Sequence, residues 1–178
     1  FYIMWKTLSS KIVFKNPWWQ IIKKDFEMPN KKRGEYYILD TKGSSMIVPI
    51  KGNKIVFEKE YRYPINEWVI QLPNGQAKHR NKFIQAAKDE LQEETGYRAG
   101  SIKKIGRFCP MNGVTNEITE VFLATGLKFV GKNLEETEQI KNIEIEIKKA
   151  YKMIGEGKIT DGQTLASLAI ARKHLLKS

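Results

Sequence analysis

A single cysteine, Cys109, and two histidines, His79 and His174, are the only Cys and His side chains in 178 residues. One cysteine excludes a disulfide within the chain and argues for a reducing compartment. One thiol and two imidazoles are too poor a set for a structural zinc centre. Cys109 stands between Phe108 and Pro110 with no histidine beside it, so it reads as a small hydrophobe, not as a nucleophile. No apolar run approaches the roughly 18 residues of a membrane span. The N-terminal FYIMWKTLSSK lacks the charged lead and long apolar stretch of a secretory signal, so a cytoplasmic protein away from membranes is expected. Repeats, low-complexity runs and linkers are missing as well. At 20.6 kDa that leaves one folded domain with at most a small appendage.

What is present first is basic charge, +11 overall, and it is uneven. Residues 1–88 carry 17 Lys and Arg against 7 Asp and Glu, whereas residues 89–178 carry 14 against 13. A surplus of this kind invites a nucleic-acid partner but suits any phosphate. No aromatic RNA-module pattern accompanies it, so nucleic acid is not the favoured partner.

The first 60 residues have the character of strands: Lys11–Phe14, Glu35–Leu39, then Ser45–Ile50 and Lys54–Phe57 around a Lys51-Gly52-Asn53 turn that predicts a hairpin. Asn16-Pro17-Trp18-Trp19 breaks the first strand from the next, and Trp68–Leu72 is a further strand stopped at Pro73-Asn74-Gly75. The period then changes. Lys82–Glu94 has no Gly or Pro, with Ile84, Ala87 and Leu91 as its core stripe and Gly96 as its C-terminal stop. Strands return at Lys103–Arg107, Ile118–Ala124 and Ile140–Ile147, and helices close the chain at about Lys148–Gly155 and Asp161–Leu176. This order predicts an α+β or α/β/α sandwich on a mixed sheet, with the early strands free to form a small sheet of their own.

The densest chemical signal is Leu72–Tyr97, LPNGQAKHRNKFIQAAKDELQEETGY. Glu90, Glu93 and Glu94 stand at i, i+3 and i+4, within about 100° of one helix face. Three carboxylates so placed repel one another unless a cation sits between them. Hard divalent ions such as Mg2+ take oxygen ligands of this kind together with substrate phosphates. Ala86 and Phe83 occupy the same face one and two turns earlier, which is odd for a merely solvated acidic face.

With Gly75 before the helix and Gly96-Tyr97 after it, the segment resembles the Nudix box: Gly75, Glu90-Leu91, Glu93-Glu94 and Gly96-Tyr97 keep its spacing. Two positions depart from it. Asn81 replaces the first Glu of the pattern and Asp89 its Arg. Asp89 stands four residues before Glu93, a like-charge pair costing about 0.2–0.5 kcal/mol on an exposed helix. Lys82 or Lys88 could supply a substitute cation, though neither reproduces an arginine fork. The resemblance extends to the ADP-ribose pyrophosphatase branch through Trp5, Asn16-Pro17-Trp18, Tyr61-Arg62-Tyr63-Pro64, Trp68–Gly75, Met111-Asn112-Gly113 with Glu117, and Gly155–Asp161.

That resemblance implies a Nudix fold preceded by a small antiparallel sheet, divided here as residues 1–44, for dimerisation, and 45–178, the hydrolase domain. It implies Mg2+-dependent cleavage of the pyrophosphate of a nucleoside diphosphate sugar, ADP-ribose giving AMP and ribose 5-phosphate, with Mn2+ as an alternative ion. Glu90, Glu93, Glu94 and the main-chain carbonyl of Asn74 would hold metal. A loop carboxylate before the late strand, Glu138 first and Glu136 next, would act as base or extra ligand. Arg62 would grip phosphate, Trp5 and Tyr36 would stack the base, and Glu117 would touch the terminal ribose or fix its loop. A homodimer is implied too. Other diphosphates (NADH, dinucleoside polyphosphates, capped RNA) stay open, and so does a Nudix-fold nucleotide or RNA binder weakened in catalysis by Asp89 and Asn81.

Overall fold

The protein is described by a computed structural model covering residues 4–77, 82–132 and 139–176. Two units emerge, Phe1–Lys42 with Cys109–Glu117, and Gly43–Phe108 with Ile118–Ser178.

The smaller unit is a three-stranded antiparallel sheet, β1 (Lys6–Lys15), β2 (Gln20–Glu27) and β3 (Arg33–Asp40), in that order. The β1–β2 turn is shaped by Asn16, whose Oδ1 accepts hydrogen bonds from the amides of Trp18 and Trp19 at 2.9 and 2.8 Å. This is the local side-chain bond by which Asn favours turns. Segment 109–117 is fastened to β3: Leu39 N donates to Val114 O at 2.9 Å, Thr115 Oγ1 to Leu39 O at 2.7 Å, and Asn116 Nδ2 to Asp40. Cys109 is exposed on the surface of this segment.

The larger unit is built on a seven-stranded mixed sheet. Its path runs β10 (Ile140–Glu146), β5 (Lys54–Arg62), β4 (Ser44–Lys51), β9 (Thr119–Phe129), β8 (Tyr97–Phe108), with β6 (Glu67–Gln71) on β5 and the short β7 (Asn74–Gln76) on β4. β4 and β9 are parallel and the other pairs antiparallel. Helix α1 (Phe83–Thr95) covers one face over Ile47, Ala87, Leu91, Phe122 and Ala124. Helices α2 (Ile147–Gly155) and α3 (Gly162–Leu175) cover the other, over Met46, Val48, Ile55, Phe57, Leu72 and Leu168. The α/β/α sandwich and the small antiparallel sheet before it are as predicted.

The helix stripe differs in one position. Ile84 is 47% exposed, and Phe83 packs in the core instead, so the stripe runs 83, 87, 91 at i, i+4, i+8. Phe83 lies against Gly43, where a Cβ would meet its ring at 2.8 Å. Gly96 ends α1 as predicted, in the left-handed conformation at φ 78°.

Candidate active site

The site is assembled from the turn after β6 and the face of α1, and the turn is held at nearly every residue. Leu72 N donates to Thr164 Oγ1 at 2.9 Å, a threonine fixed in the first turn of α3 by its own N–H to the Asp161 carboxylate at 2.7 Å. Pro73 O accepts from Ile47 N at 3.0 Å. Asn74, Gly75 and Gln76 pair with Met46, Ser45 and Ser44.

Two of the box glutamates meet this turn. Asn74 N donates to Glu94 Oε2 at 3.0 Å, and Glu94 is buried. A Cβ on Gly75 would land on the Glu90 carboxylate, so only glycine lets that carboxylate close against the turn. Glu93 and Glu90 line a cleft of about 220 Å3 together with Gln76, Lys82, Gln85, Ala86 and Asp89. Helix α1 therefore carries Glu90, Glu93 and Glu94 in its second half, with no acid in the first turn and no base in the last. That is the reverse of what the helix dipole favours, at roughly 0.3–1 kcal/mol per exposed charge in the last turn. A cation at these carboxylates would offset both the dipole and their mutual repulsion.

Among the described residues no three acidic, His or Cys side chains converge on one point. The donor set nevertheless suits a hard divalent ion, being carboxylate oxygens beside main chain. One observation strengthens the fit. Glu58 on β5 is fully buried, and neither of its oxygens makes a hydrogen bond. Burial, then the charge of Glu60, pushes its carboxyl up to about 8, only partly countered by nearby Gln71, Lys132 and Glu94. Lys132 is shifted in turn: burial lowers its pKa while Glu58 and Glu94 pull it back up.

The sequence-predicted residues fall into groups. Glu90, Glu93, Glu94 and Asn74 are gathered around the turn and α1. Arg62 lies on β5, its Nε donating to Gln71 Oε1 at 2.9 Å and its guanidinium 3.1 Å from Glu60. Trp5, Tyr36 and Glu117 belong to the smaller unit. There Trp5 stacks on Phe26 with ring centres 4.5 Å apart, Tyr36 donates its hydroxyl to Gly113 O at 2.6 Å, and Glu117 N donates to Thr115 Oγ1 at 3.1 Å. Glu136, Glu138 and Asn81 lie outside the described residues. Asp89 accepts a hydrogen bond from Gln85 Nε2 at 2.8 Å. Of the two lysines suggested as stand-ins for the box arginine, Lys82 lines the cleft and Lys88 is exposed. The lysine that acts on Glu94 is one the sequence did not single out, Lys132. Glu58 carries only one sequence signal, the apolar run Ile55-Val56-Phe57 continuing unbroken into it.

Comparison with known proteins agrees with the geometry. Residues 5–39 match the family described as nucleoside diphosphate sugar hydrolase N-terminal domain. The chain is 28% identical over 162 residues to the ADP-ribose pyrophosphatase of Bacillus subtilis, covering 89% of this chain and 88% of that one. It is 35% identical over 92 residues to the GDP-mannose pyrophosphatase of Yersinia enterocolitica, about half of each chain (49% and 48%). A solved ADP compounds hydrolase shares the fold at a TM-score of 0.85 and 18% identity, over 96% of this chain and 94% of that one. With the box, the fold and these relatives in agreement, the chain is similar to the Nudix hydrolases of nucleoside diphosphate sugars, the ADP-ribose pyrophosphatases among them.

Proposed function

We propose that this hydrolase cleaves the pyrophosphate bond of ADP-ribose, with Mg2+ as its ion and Mn2+ able to replace it. Water adds to one phosphorus, the bridging P–O bond breaks, and AMP and ribose 5-phosphate leave. The observation that carries this reading is the closure of the Asn74-Gly75 turn onto Glu94 and Glu90. It sets carboxylates and main chain side by side at one place, as a diphosphate's metal ions require.

In this reading Glu90, Glu93, Glu94 and the Asn74 carbonyl would hold the ions, which when bound would neutralise the diphosphate and acidify the attacking water. Arg62 binds a phosphate oxygen through the part of its guanidinium not engaged by Glu60 and Gln71. Glu138, with Glu136 as second choice, takes the proton from water. Trp5 and Tyr36 offer aromatic faces to the adenine, and Glu117 a carboxylate to the ribose. We place the protein in the cytoplasm as a homodimer. The dimer is supported by the smaller unit, whose β1 exposes Leu8, Ile12, Val13 and Phe14 by 41–50% each. A monomer rarely leaves so many apolar side chains together in water.

Purified protein with Mg2+ should release AMP from ADP-ribose faster than from GDP-mannose, NADH, a dinucleoside polyphosphate or capped RNA. Liquid chromatography of the products decides it, and a different preferred diphosphate would replace ADP-ribose while keeping the class. Asp89, bonded to Gln85 where the box has arginine, favours a second reading, a binder with weakened catalysis. Tight ADP-ribose binding by calorimetry with no product from any of the panel would establish that one.

A further inference from the structure

The strand that carries Glu58 alternates faces. Ile55 and Phe57 enter the core beneath α2 and α3, which turns Val56 and Glu58 to the face that α1 covers. The two neighbours across the ladder are Gln71 on β6 and Asn142 on β10. Both have side chains engaged elsewhere. Gln71 Nε2 donates to Glu60 Oε2 at 2.7 Å, and its Oε1 accepts from Arg62. Asn142 Nδ2 donates to Thr95 O at 2.8 Å, and its Oδ1 accepts from Lys132 Nζ at 2.9 Å. The Asn142–Thr95 bond ties β10 to the last turn of α1, one residue beyond Glu94. Glu58, opposite Asn142 in the ladder, is thereby set on the side of the sheet where the last turn of α1 carries Glu94.

Among the described residues Glu58 and Glu94 are the two buried acids. Glu94 has the Asn74 amide; neither oxygen of Glu58 has a hydrogen bond. A buried position that only had to be filled would be served by Leu, Met or Gln without the cost of desolvating an acid. A buried carboxylate beside a second one is satisfied by a cation.

We propose that Glu58 is a further metal-facing carboxylate of this site, contributed by the sheet and lying outside the box that carries Glu90, Glu93 and Glu94. The proposal rests on the reading of those three glutamates as metal ligands. The role belongs to this chain's own β5.

Mn2+ binding to the full-length protein tests it, by calorimetry and by the electron paramagnetic resonance of the bound ion, with thermal unfolding recorded without and with Mn2+. Glu58→Gln keeps the shape and removes the charge. It should weaken Mn2+ binding by about 10–100-fold and shrink the Mn2+-induced rise in Tm, while the metal-free Tm stays level or increases. A folded Glu58→Gln that binds Mn2+ as the wild type does would overturn the proposal. So would a metal-free Tm that falls with Mn2+ affinity unchanged, since that is the mark of a structural residue. Should Glu58→Gln not fold, Glu58→Met is measured in its place, and failure of both to fold overturns the metal role. A wild type that binds no Mn2+ would instead overturn the metal reading of the box on which the proposal stands.

Discussion

The two units differ in how they are held together. Every buried hydrophobic side chain among the described residues, from Met46 to Ala171, belongs to the larger unit. The smaller one has ten exposed residues in β1 and only partly buried ones in β2. Its order comes from ladder hydrogen bonds, the Tyr36–Gly113 and Thr115–Leu39 bonds, and surface ion pairs such as Lys23–Glu35 at 2.5 Å. Ion pairs of that sort contribute roughly 0–1 kcal/mol each. The metal-type carboxylates stand on the unit with a packed core, so their spacing is fixed by packing. The unit exposing Trp5 and Tyr36 has apolar surface to spare.

Core truncation should mark that contrast most strongly. Leu91→Ala removes a fully buried side chain between α1 and the sheet, and should cost about 2–5 kcal/mol in denaturant unfolding. Val13→Ser on β1 should stay within about 0.5 kcal/mol at dilutions where the chain is monomeric, and should shift the mass seen by light scattering from dimer toward monomer. Equal losses from both would erase the distinction between the units.

Gly75→Ala should come next. The added methyl group occupies the place of the Glu90 carboxylate, and overpacking of this kind costs about 1–3 kcal/mol. Turnover should fall further than stability alone accounts for, because Glu90 is driven off the turn. Wild-type activity in Gly75→Ala would show that Glu90 need not close there.

The smallest effect is a slope. The Glu58 carboxyl holds its proton up to about 8 in the folded chain, against 4.5 for the free group. Its stabilising contribution is therefore complete below about 4.5 and is lost as pH rises toward about 8. Metal-free wild type should lose stability across that window, and Glu58→Gln should lose less. Parallel curves in urea denaturation at several pH values would contradict the assignment.

What was legible in the sequence was what is local. α1, its Gly96 stop, the Gly52-Asn53 hairpin and the spacing of Glu90, Glu93 and Glu94 all depend on residues a turn or two apart. β2 has no such local signal, since Lys23, Lys24 and Asp25 interrupt any two-residue alternation, and its pairing with β1 and β3 is what makes it a strand. β7 was hidden in a turn signal, and it pairs only because β4 lies beside it. The site divides the same way. The box acids are a sequence pattern, whereas Glu58 is set beside α1 by pairings of β5 with β6 and β10 that span many residues, and Lys132 bonds to Asn142 of β10. Ile84 lost its core place to Phe83 because the cover over the first turn of α1 is set by Gly43, forty residues earlier.

Metal-dependent hydrolysis at the Asn74–Glu94 junction is what the proposed function requires. Its most direct test is AMP release from ADP-ribose with Mg2+, wild type against Glu94→Gln. The wild type should give AMP and ribose 5-phosphate in equal amounts, and the variant a rate lower by roughly 10–100-fold or more. Equal release by the two proteins, or no product from the wild type with any diphosphate of the panel, would contradict it.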